Sequence, residues 1–143
     1  MKEAISEAYD GINNGDGGPF GSVIVKDGKI VGRGHNRVVK NQDPTCHGEI
    51  EAIHDACKNL GTFDLSGCTL YTTSEPCPMC LGAILWANID RVFQGCNIMN
   101  VVRYLMYDNK VKYCLKTFIM ENCVVHLESE GMTNSSIFYI YDG

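Results

Sequence analysis

The fold of this chain is decided by residues 68–95, which read CTLYTTSEPCPMCLGAILWANIDRVFQG. Residues 68–73 have the composition of a buried strand, residues 79–86 predict a helix preceded by two prolines, and residues 91–95 predict another strand. A strand, a helix and a strand in this order predict a parallel strand pair with a right-handed crossover. The stretch therefore indicates an α/β protein.

A helix and a hairpin are predicted upstream of this unit. Apolar residues recur at helical spacing before the glycine-rich segment 15–19, which predicts an amphipathic helix whose apolar stripe lies on the sheet; the stripe consists of Ala4, Ile5, Ala8, Tyr9 and Ile12. Residues 20–25 and 30–35 flank Asp27-Gly28, a pair that supplies the positive φ angles of a tight hairpin. Two antiparallel strands follow from this pattern.

A second helix is predicted between the hairpin and residue 61. Asp43-Pro44 offers a helix cap followed by a proline at the first helical position. Gly61 ends the pattern, and the inward stripe before it consists of Ile50, Ile53 and Cys57.

The C-terminal third carries a weaker pattern. Residues 101–113 are expected to be helical, residues 118–127 extended, and residues 137–141 a terminal strand. No internal repeat or linker interrupts the 143 residues, of which 45% are hydrophobic, so residues 1–143 are interpreted as a single domain with one core. The expected class is α/β, with a mixed sheet covered by helices.

Composition and charge restrict the expected partners. The net charge of −5 argues against a broad phosphate-binding surface, because affinity for polyanions comes mainly from lysine and arginine. A small substrate fits this charge better than a long nucleic acid. The charged first residues are unlike a secretory signal, and the longest apolar run, residues 81–87, is too short to span a bilayer. We therefore expect a cytoplasmic protein, without a membrane partner, whose eight cysteines are reduced.

A metal site is predicted where two motifs open helices. Cys77 and Cys80 are three residues apart at a predicted helix start, where the two sulfurs share one face and backbone N–H groups favour thiolates. His47 lies 30 positions before Cys77 and completes a three-ligand set. Catalytic zinc typically has three protein ligands and one open position for water, which becomes acidic there. Two thiolates and a neutral imidazole balance the 2+ charge, so one zinc ion per chain is expected.

Glu49 is the candidate catalytic residue. It follows His47 by two positions, too close to share its direction on a helix but able to reach the open metal position from the side. A carboxylate there can take a proton from water and pass it to a ring nitrogen and a departing amine. His-x-Glu followed by Pro-Cys-x-x-Cys, present as His47-Gly48-Glu49 and residues 76–80, is the signature of zinc-dependent nucleobase deaminases.

Other interpretations of these residues stay open. The Cys77-Cys80 pair could be a thioredoxin-like redox pair, although the rest of that fold's pattern is lacking. Cys46 could supply a fourth ligand and close a purely structural site, in which Glu49 would be a solvated helix residue. The other histidines lack ligand spacing and are expected on the surface or as satisfied core residues; they are His35, His54 and His126.

Residues 4–96 resemble the cytidine deaminase superfamily (CMP/dCMP deaminase zinc-binding type), and within it the branch of bacterial guanine deaminases. The shared motifs are GGPFG at 17–21, GHN at 34–36, DPT at 43–45 and EPCPMCLGAI at 75–84. The resemblance implies a three-layer α/β/α fold with a mixed five-stranded sheet, and a homodimer. Most relatives carry His-Ala-Glu, whereas Gly48 gives this chain a form that also resembles cytosine deaminases of the yeast type.

The resemblance also implies residues that bind a base. Phe20 is expected to stack on a purine ring, Asn36 to hydrogen-bond the edge of that ring, and Trp86 to wall the pocket. Gly48, beside the metal ligand, belongs to the same candidate set. Asp108 aligns with an acidic residue that accepts hydrogen bonds from the N1–H and amino group of guanine, and a carboxylate prefers these donors to adenine's acceptor edge. Without the resemblance, Phe20 and Trp86 would be interpreted as core residues.

The function that the resemblance implies is hydrolysis of a C–N bond in a cyclic amidine. The expected reaction converts guanine to xanthine and ammonia, as part of purine metabolism. The alternatives are deamination of cytosine or another base or nucleoside, deamination of adenosine in tRNA, and a structural zinc protein without turnover. The expected partner is a small nucleobase rather than a nucleic acid.

Overall fold

A computed structural model describes residues 1–97 and 139–141 of the chain. The elements follow one another as α1 (Lys2–Asn13), β1 (Gly21–Lys26), β2 (Lys29–His35), α2 (Val38–Asn41), α3 (Gly48–Leu60), β3 (Thr69–Ser74), α4 (Pro78–Trp86), β4 (Arg91–Cys96) and β5 (Tyr139–Tyr141).

The strands form a mixed five-stranded sheet in the order β2-β1-β3-β4-β5. β1 pairs antiparallel with β2 and β3, whereas β3 with β4 and β4 with β5 are parallel. The β1–β2 hairpin turns at Asp27 and Gly28, with φ angles of 49° and 74°. The predicted hairpin, the parallel pair around α4 and the α/β class with a mixed sheet are therefore confirmed.

Helices cover both faces of the sheet because glycines let them approach closely. A Cβ atom at Gly21 would meet backbone atoms of α1, at Ala4 and Ala8. On the opposite face, Cβ atoms at Gly32 and Gly34 would meet backbone atoms of α3. The result is the expected three-layer arrangement, with α1 on one face and α3 on the other.

The main core lies on the α3 face of the sheet. Apolar side chains of β1, β3 and β4 pack there against α3, α4 and the segments that follow these helices, which removes apolar surface from water. The buried members of this core are Ile24, Ala52, Ile53, Ala56, Leu65, Cys68, Leu70, Ile84, Ala87, Ile89 and Val92.

The second predicted helix begins later than Asp43-Pro44. Asp43 Oδ1 accepts hydrogen bonds from the backbone N–H and the hydroxyl of Thr45, so it closes a turn, and α3 starts at Gly48 with His47 as N-cap. The inward stripe is also shifted: Ala52, Ile53 and Ala56 are fully or nearly fully buried, while the predicted stripe members at positions 50 and 57 are only half-buried. Small residues occupy the centre because β2 approaches the helix backbone there.

The stripe predicted for α1 is only partly confirmed. Ala4 and Ala8 face the sheet together with Gly11, whereas the larger apolar residues remain exposed by 42 to 62%; these are Ile5, Tyr9 and Ile12. Close approach of the helix at Gly21 leaves room only for small side chains between α1 and β1.

The remaining outcomes concern short or C-terminal elements. The short helix α2 was not predicted from the sequence, and the predicted terminal strand is present as β5. The predicted helix 101–113 and extended segment 118–127 lie outside the described residues. Within the part of the chain that is described, no helix has the length and hydrophobicity needed to cross a membrane.

Candidate active site

The three predicted metal ligands lie at the starts of two helices. His47 is the N-cap of α3 and Cys77 is the N-cap of α4, and both have extended backbone angles (φ −76°, ψ 159° and φ −69°, ψ 163°). Pro78 follows Cys77 in the first helical turn, where its fixed φ angle suits the helix. Cys80 lies in the same turn, so its sulfur returns toward the helix start.

These ligands converge at distances that suit zinc. His47 Nδ1 lies 3.5 Å from Cys77 Sγ and 3.6 Å from Cys80 Sγ, and all three atoms lie within 4.8 Å of one another. A tetrahedral zinc ion with Zn–S bonds of about 2.3 Å and a Zn–N bond of about 2.0–2.1 Å holds nitrogen and sulfur about 3.6 Å apart. The geometry of the three side chains therefore fits a zinc ion, and we call this group the His47 centre.

The two sulfurs differ in proton affinity. The Cys77 sulfur accepts hydrogen bonds from Cys80 and His47, and these lower the pKa of Cys77 to about 4. The hydrogen bond to Cys77 and burial raise the pKa of Cys80 well above its usual range. Without a metal, the centre therefore carries one thiolate, shared through hydrogen bonds, and a cation at this place favours release of the remaining proton.

Glu49 lies beside the His47 centre, in the first turn of α3. Its side chain is buried, with Oε1 accepting a hydrogen bond from Thr72 Oγ1 at 3.2 Å and Oε2 lying 3.4 Å from Cys80 Sγ. Burial raises the pKa of Glu49, because an apolar surrounding disfavours the charged carboxylate. A carboxylate with raised proton affinity beside a metal centre has the properties of a proton carrier.

Cys46 does not join this centre. Among the residues that the structure describes, the convergent group of metal-ligating side chains contains His47, Cys77 and Cys80 alone. The Cys46 sulfur instead accepts a hydrogen bond from Asn41 Nδ2 at 3.4 Å. A closed four-ligand site with Cys46 therefore lacks support, and the three-ligand set leaves a position open.

Three of the predicted base-binding residues meet near the N-terminus of α3. The Asn36 backbone N–H donates to the Phe20 carbonyl oxygen at 2.9 Å, and a Cβ atom at Gly48 would lie 3.1 Å from that same oxygen. Asn36 Oδ1 accepts hydrogen bonds from the backbone N–H groups of Gly18 and Val38. The side-chain nitrogen of Asn36 is therefore the group that can donate to a ligand.

The two other predicted residues are not brought to this place. Trp86 ends α4, at the opposite end of the helix from Cys77, and its exposed fraction is 88%. Asp108 lies outside the described residues. The roles of both residues in base binding stay predictions.

Sequence reasoning missed Ser22 and Thr72. These side chains are buried beneath Glu49 and hydrogen-bonded to each other. The sequence does contain a signal for them, because each is a polar residue at an inward position of a buried strand. Burying a hydroxyl group costs free energy unless it is hydrogen-bonded. Gln94, paired with Thr72 in the sheet, is also buried, and its amide has no hydrogen-bond partner in the part of the chain that the structure describes.

A mixed sheet between helix layers, with a histidine and two cysteines converging at two helix starts, defines a zinc-binding α/β domain. Residues 1–96 match the family model of the cytidine and deoxycytidylate deaminase zinc-binding region. This match covers more than half of the chain, and the protein belongs to that family. The predicted zinc cofactor and the cytidine deaminase-like fold are thereby confirmed.

The chain is similar to members of this family with different substrates. It is 56% identical over 93 residues to a guanine deaminase of Bacillus subtilis, a match that covers 65% of this chain and 60% of the relative. The crystal structure of guanine deaminase from Bacillus subtilis superimposes with a TM-score of 0.70 at 50% identity, covering 72% of this chain and 66% of that one. A tRNA-specific adenosine deaminase of Bacillus subtilis is 45% identical over 95 residues, covering 66% of this chain and 58% of the relative. The chain thus spans about 60% of the length of these curated relatives.

Proposed function

We propose that this protein is a zinc-dependent deaminase that converts guanine to xanthine and ammonia. The observation that carries the proposal is a buried Glu49 carboxylate next to a three-ligand centre that leaves one metal position open. The similarity to a guanine deaminase supports guanine as the base.

In this mechanism Glu49 moves the protons. His47, Cys77 and Cys80 would hold the zinc ion, and the ion would make a water molecule acidic enough to attack the base. The Glu49 carboxylate takes one proton from the attacking water and delivers it to a ring nitrogen. It then takes the second proton, from the hydroxyl group now on the carbon, and delivers it to the departing amine. Water adds to the ring carbon that bears the amino group, the C–N bond breaks, and ammonia leaves.

The chain's own side chains hold the base in this proposal. Phe20 stacks on the purine ring, and the Asn36 amide nitrogen, whose oxygen is tied to Gly18 and Val38, donates to an acceptor on the ring edge. Asp108 accepts hydrogen bonds from the guanine N1–H and amino group in this proposal. Gly48 keeps the helix start free of a side chain next to Phe20.

The substrate is tested by measuring ammonia release from guanine, cytosine, adenine and their nucleosides in parallel, with the zinc-loaded protein. We expect turnover of guanine far above that of the other compounds. Activity on cytosine alone would remove the guanine assignment while leaving the deaminase class intact. No turnover of any compound by fully zinc-loaded protein would favour the structural zinc alternative.

Deamination of adenosine in tRNA is the second candidate, favoured by the similarity to a tRNA-specific adenosine deaminase. Recognition of an anticodon loop requires basic and aromatic groups around the site. The net charge of −5 disfavours this candidate. Binding of tRNA at moderate salt, followed by inosine analysis, separates it from guanine deamination.

We further propose that residues 1–143 act as a single cytoplasmic domain that forms a homodimer. Support for an interface comes from α4, where apolar side chains are exposed by 36 to 88%; these are Met79, Leu85 and Trp86. Light scattering coupled to size-exclusion chromatography gives the mass, and a monomer at micromolar concentration would contradict the dimer.

A further inference from the structure

A pair of buried hydroxyl groups lies directly beneath the Glu49 carboxylate. Ser22 of β1 and Thr72 of β3 are opposite each other in the antiparallel pair, and their exposed fractions are 0% and 1%. Ser22 Oγ donates to Thr72 Oγ1 at 3.0 Å, and Thr72 Oγ1 donates to Glu49 Oε1 at 3.2 Å. Three elements that are distant in sequence are thus joined by two hydrogen bonds.

These hydroxyls are a local departure from an apolar face. The next inward pair of the same two strands is Ile24 and Leu70, both fully buried in the main core. Burying a hydroxyl costs free energy unless it is hydrogen-bonded. The cross-strand pair of β1 and β3 that faces Glu49 is therefore polar, and its two hydroxyl groups are hydrogen-bonded to each other and to Glu49.

The direction of the two hydrogen bonds is fixed by chemistry. An ionised carboxylate only accepts hydrogen bonds, so the Thr72 hydroxyl is the donor in its hydrogen bond with Glu49. The Thr72 oxygen then accepts from Ser22, whose hydroxyl has its own proton to donate. Both hydrogen bonds therefore point toward Glu49 Oε1, and we call the two hydroxyl groups the Ser22–Thr72 relay.

The relay gives the two oxygens of Glu49 different surroundings. Oε1 is held against the sheet by Thr72, while Oε2 lies on the side of the His47 centre, 3.4 Å from Cys80 Sγ. Rotation of the carboxylate would break the hydrogen bond to Thr72. The start of α3 packs closely on these hydroxyls, since a Cβ atom at Gly48 would lie 3.4 Å from Ser22 Oγ.

We propose that the Ser22–Thr72 relay is a positioning device that holds the Glu49 carboxylate with Oε2 turned toward the metal centre. Neither hydroxyl is a catalytic residue, because both act through Glu49. The inference rests on the proposed role of Glu49 in proton transfer. Its chemical consequence is that loss of the relay lowers turnover more than it changes substrate or metal binding.

The test compares Thr72→Val, which removes the hydroxyl at nearly constant shape, with Thr72→Ser, which keeps it. Thr69→Val is the matched control, since Thr69 is a buried threonine of the same strand, three residues from Thr72. We expect Thr72→Val to lower kcat by about ten- to a hundredfold, as for loss of a hydrogen bond to a charged group. KM and zinc content should change by less than about twofold, and Thr72→Ser and Thr69→Val should keep kcat within about threefold.

Two readouts do not depend on turnover. Crystal structures of zinc-loaded Thr72→Val should show the Glu49 carboxylate rotated or in two orientations, whereas Thr72→Ser should keep the single orientation. Ser22→Ala, which leaves Thr72 in place, should lower kcat severalfold, and it serves if Thr72→Val does not fold. A Thr72→Val protein with unchanged kcat and one Glu49 orientation overturns the proposal, as does an equal loss in Thr72→Val and Thr72→Ser.

Failure of this inference is distinguishable from failure of the proposed function. Glu49→Gln tests the proposed function directly. If Glu49→Gln retains full turnover, proton transfer by Glu49 is wrong and the relay has no catalytic role. If Glu49→Gln is inactive while Thr72→Val and Ser22→Ala are fully active, only the relay is wrong.

Discussion

Two histidines of this protein differ in how their partners are arranged. The ring of His35, at the end of β2, has a carboxylate on each side, with Nδ1 3.2 Å from Glu7 Oε2 and Nε2 2.8 Å from Asp16 Oδ2. At His47, both neighbouring sulfurs lie against the same nitrogen, Nδ1. Lys40 also contacts Asp16, and we call His35, Glu7, Asp16 and Lys40 the His35 cluster.

The difference shows that residue type alone does not make a metal ligand. In the His47 centre three donor atoms converge on one point, so a cation can replace the shared protons. In the His35 cluster the partners surround the ring, and both ring nitrogens are used to join β2 to α1 and to the segment after α1. The first arrangement suits a cofactor, and the second holds elements of the fold together.

The largest expected effect separates the two histidines by their zinc content. We predict that His47→Ala lowers zinc affinity by more than about a hundredfold and abolishes turnover, because one of three ligands is lost. His35→Ala should keep one zinc ion per chain and lower Tm instead. Zinc analysis after dialysis against a weak chelator, together with thermal melts, measures both quantities. Equal zinc loss in the two variants would contradict the assignment of His47 to the metal and of His35 to the fold.

The next effect concerns the thiolate of the His47 centre in zinc-free protein. Hydrogen bonds from Cys80 and His47 lower the pKa of Cys77 to about 4, whereas burial raises the pKa of Cys57. At about pH 6, iodoacetamide should modify Cys77 more than about tenfold faster than Cys57, which is also half-buried. Peptide mapping by mass spectrometry measures the two rates. The rate at Cys77 should fall as the pH is lowered through about 4, and a rate that tracks that of Cys57 argues against the thiolate.

A smaller effect is expected in the His35 cluster and depends on pH. Hydrogen bonds from His35 and Lys40 lower the pKa of Asp16 in the folded protein below its value in the unfolded chain. The ionised Asp16 therefore stabilises the fold at pH values above the unfolded pKa, and this contribution is lost as the pH falls through the folded pKa. Asp16→Asn should therefore lower Tm more at pH 7 than at about pH 3, which is below the unfolded pKa of 3.8. Asp10→Asn, on the exposed face of α1, is the control. The same Tm loss at both pH values would contradict the electrostatic origin.

The smallest expected effects come from one glycine beside each histidine. A Cβ atom at Gly11 would lie 2.8 Å from His35 Cδ2, so Gly11→Ala must displace the ring and should lower Tm. A Cβ atom at Gly48 would lie 3.1 Å from the Phe20 carbonyl oxygen, and the gain in helix propensity offsets this tight contact. We expect the free energy of unfolding to change by less than about 1 kcal/mol for Gly48→Ala. Chemical denaturation measures both variants, and a larger loss for Gly48→Ala would reverse the order.

The sequence was sufficient for features that depend on neighbouring residues. The hairpin at Asp27-Gly28 needs only a turn that accepts positive φ angles, and the pair Cys77-Cys80 needs only a helix start. His47 was assigned to the metal because its motif also carries Glu49 at a fixed offset, and the structure brings His47 together with Cys77 and Cys80. The start of α3 was placed wrongly, since Asp43-Pro44 resembles a helix cap and in fact closes a turn.

Features that depend on distant residues were not predictable in the same way. The carboxylate partners of His35 come from positions 28 and 19 residues away, and Ser22 meets Thr72 across 50 residues. No local pattern marks such pairs, because the sheet register decides which side chains meet. The exposed Tyr9 shows the same limit, since helical spacing alone did not reveal how closely β1 approaches α1.

The placement of His47 and Cys77 as the N-cap residues of α3 and α4 has a consequence for local unfolding. One bound ion would fasten both helix starts together, while the main core holds the remainder of each helix against the sheet. Removing the ion releases first the backbone amides of these two opening turns, whose own hydrogen bonds are the fewest. Amide hydrogen exchange after chelation should therefore accelerate at both segments simultaneously, although they are 30 residues apart.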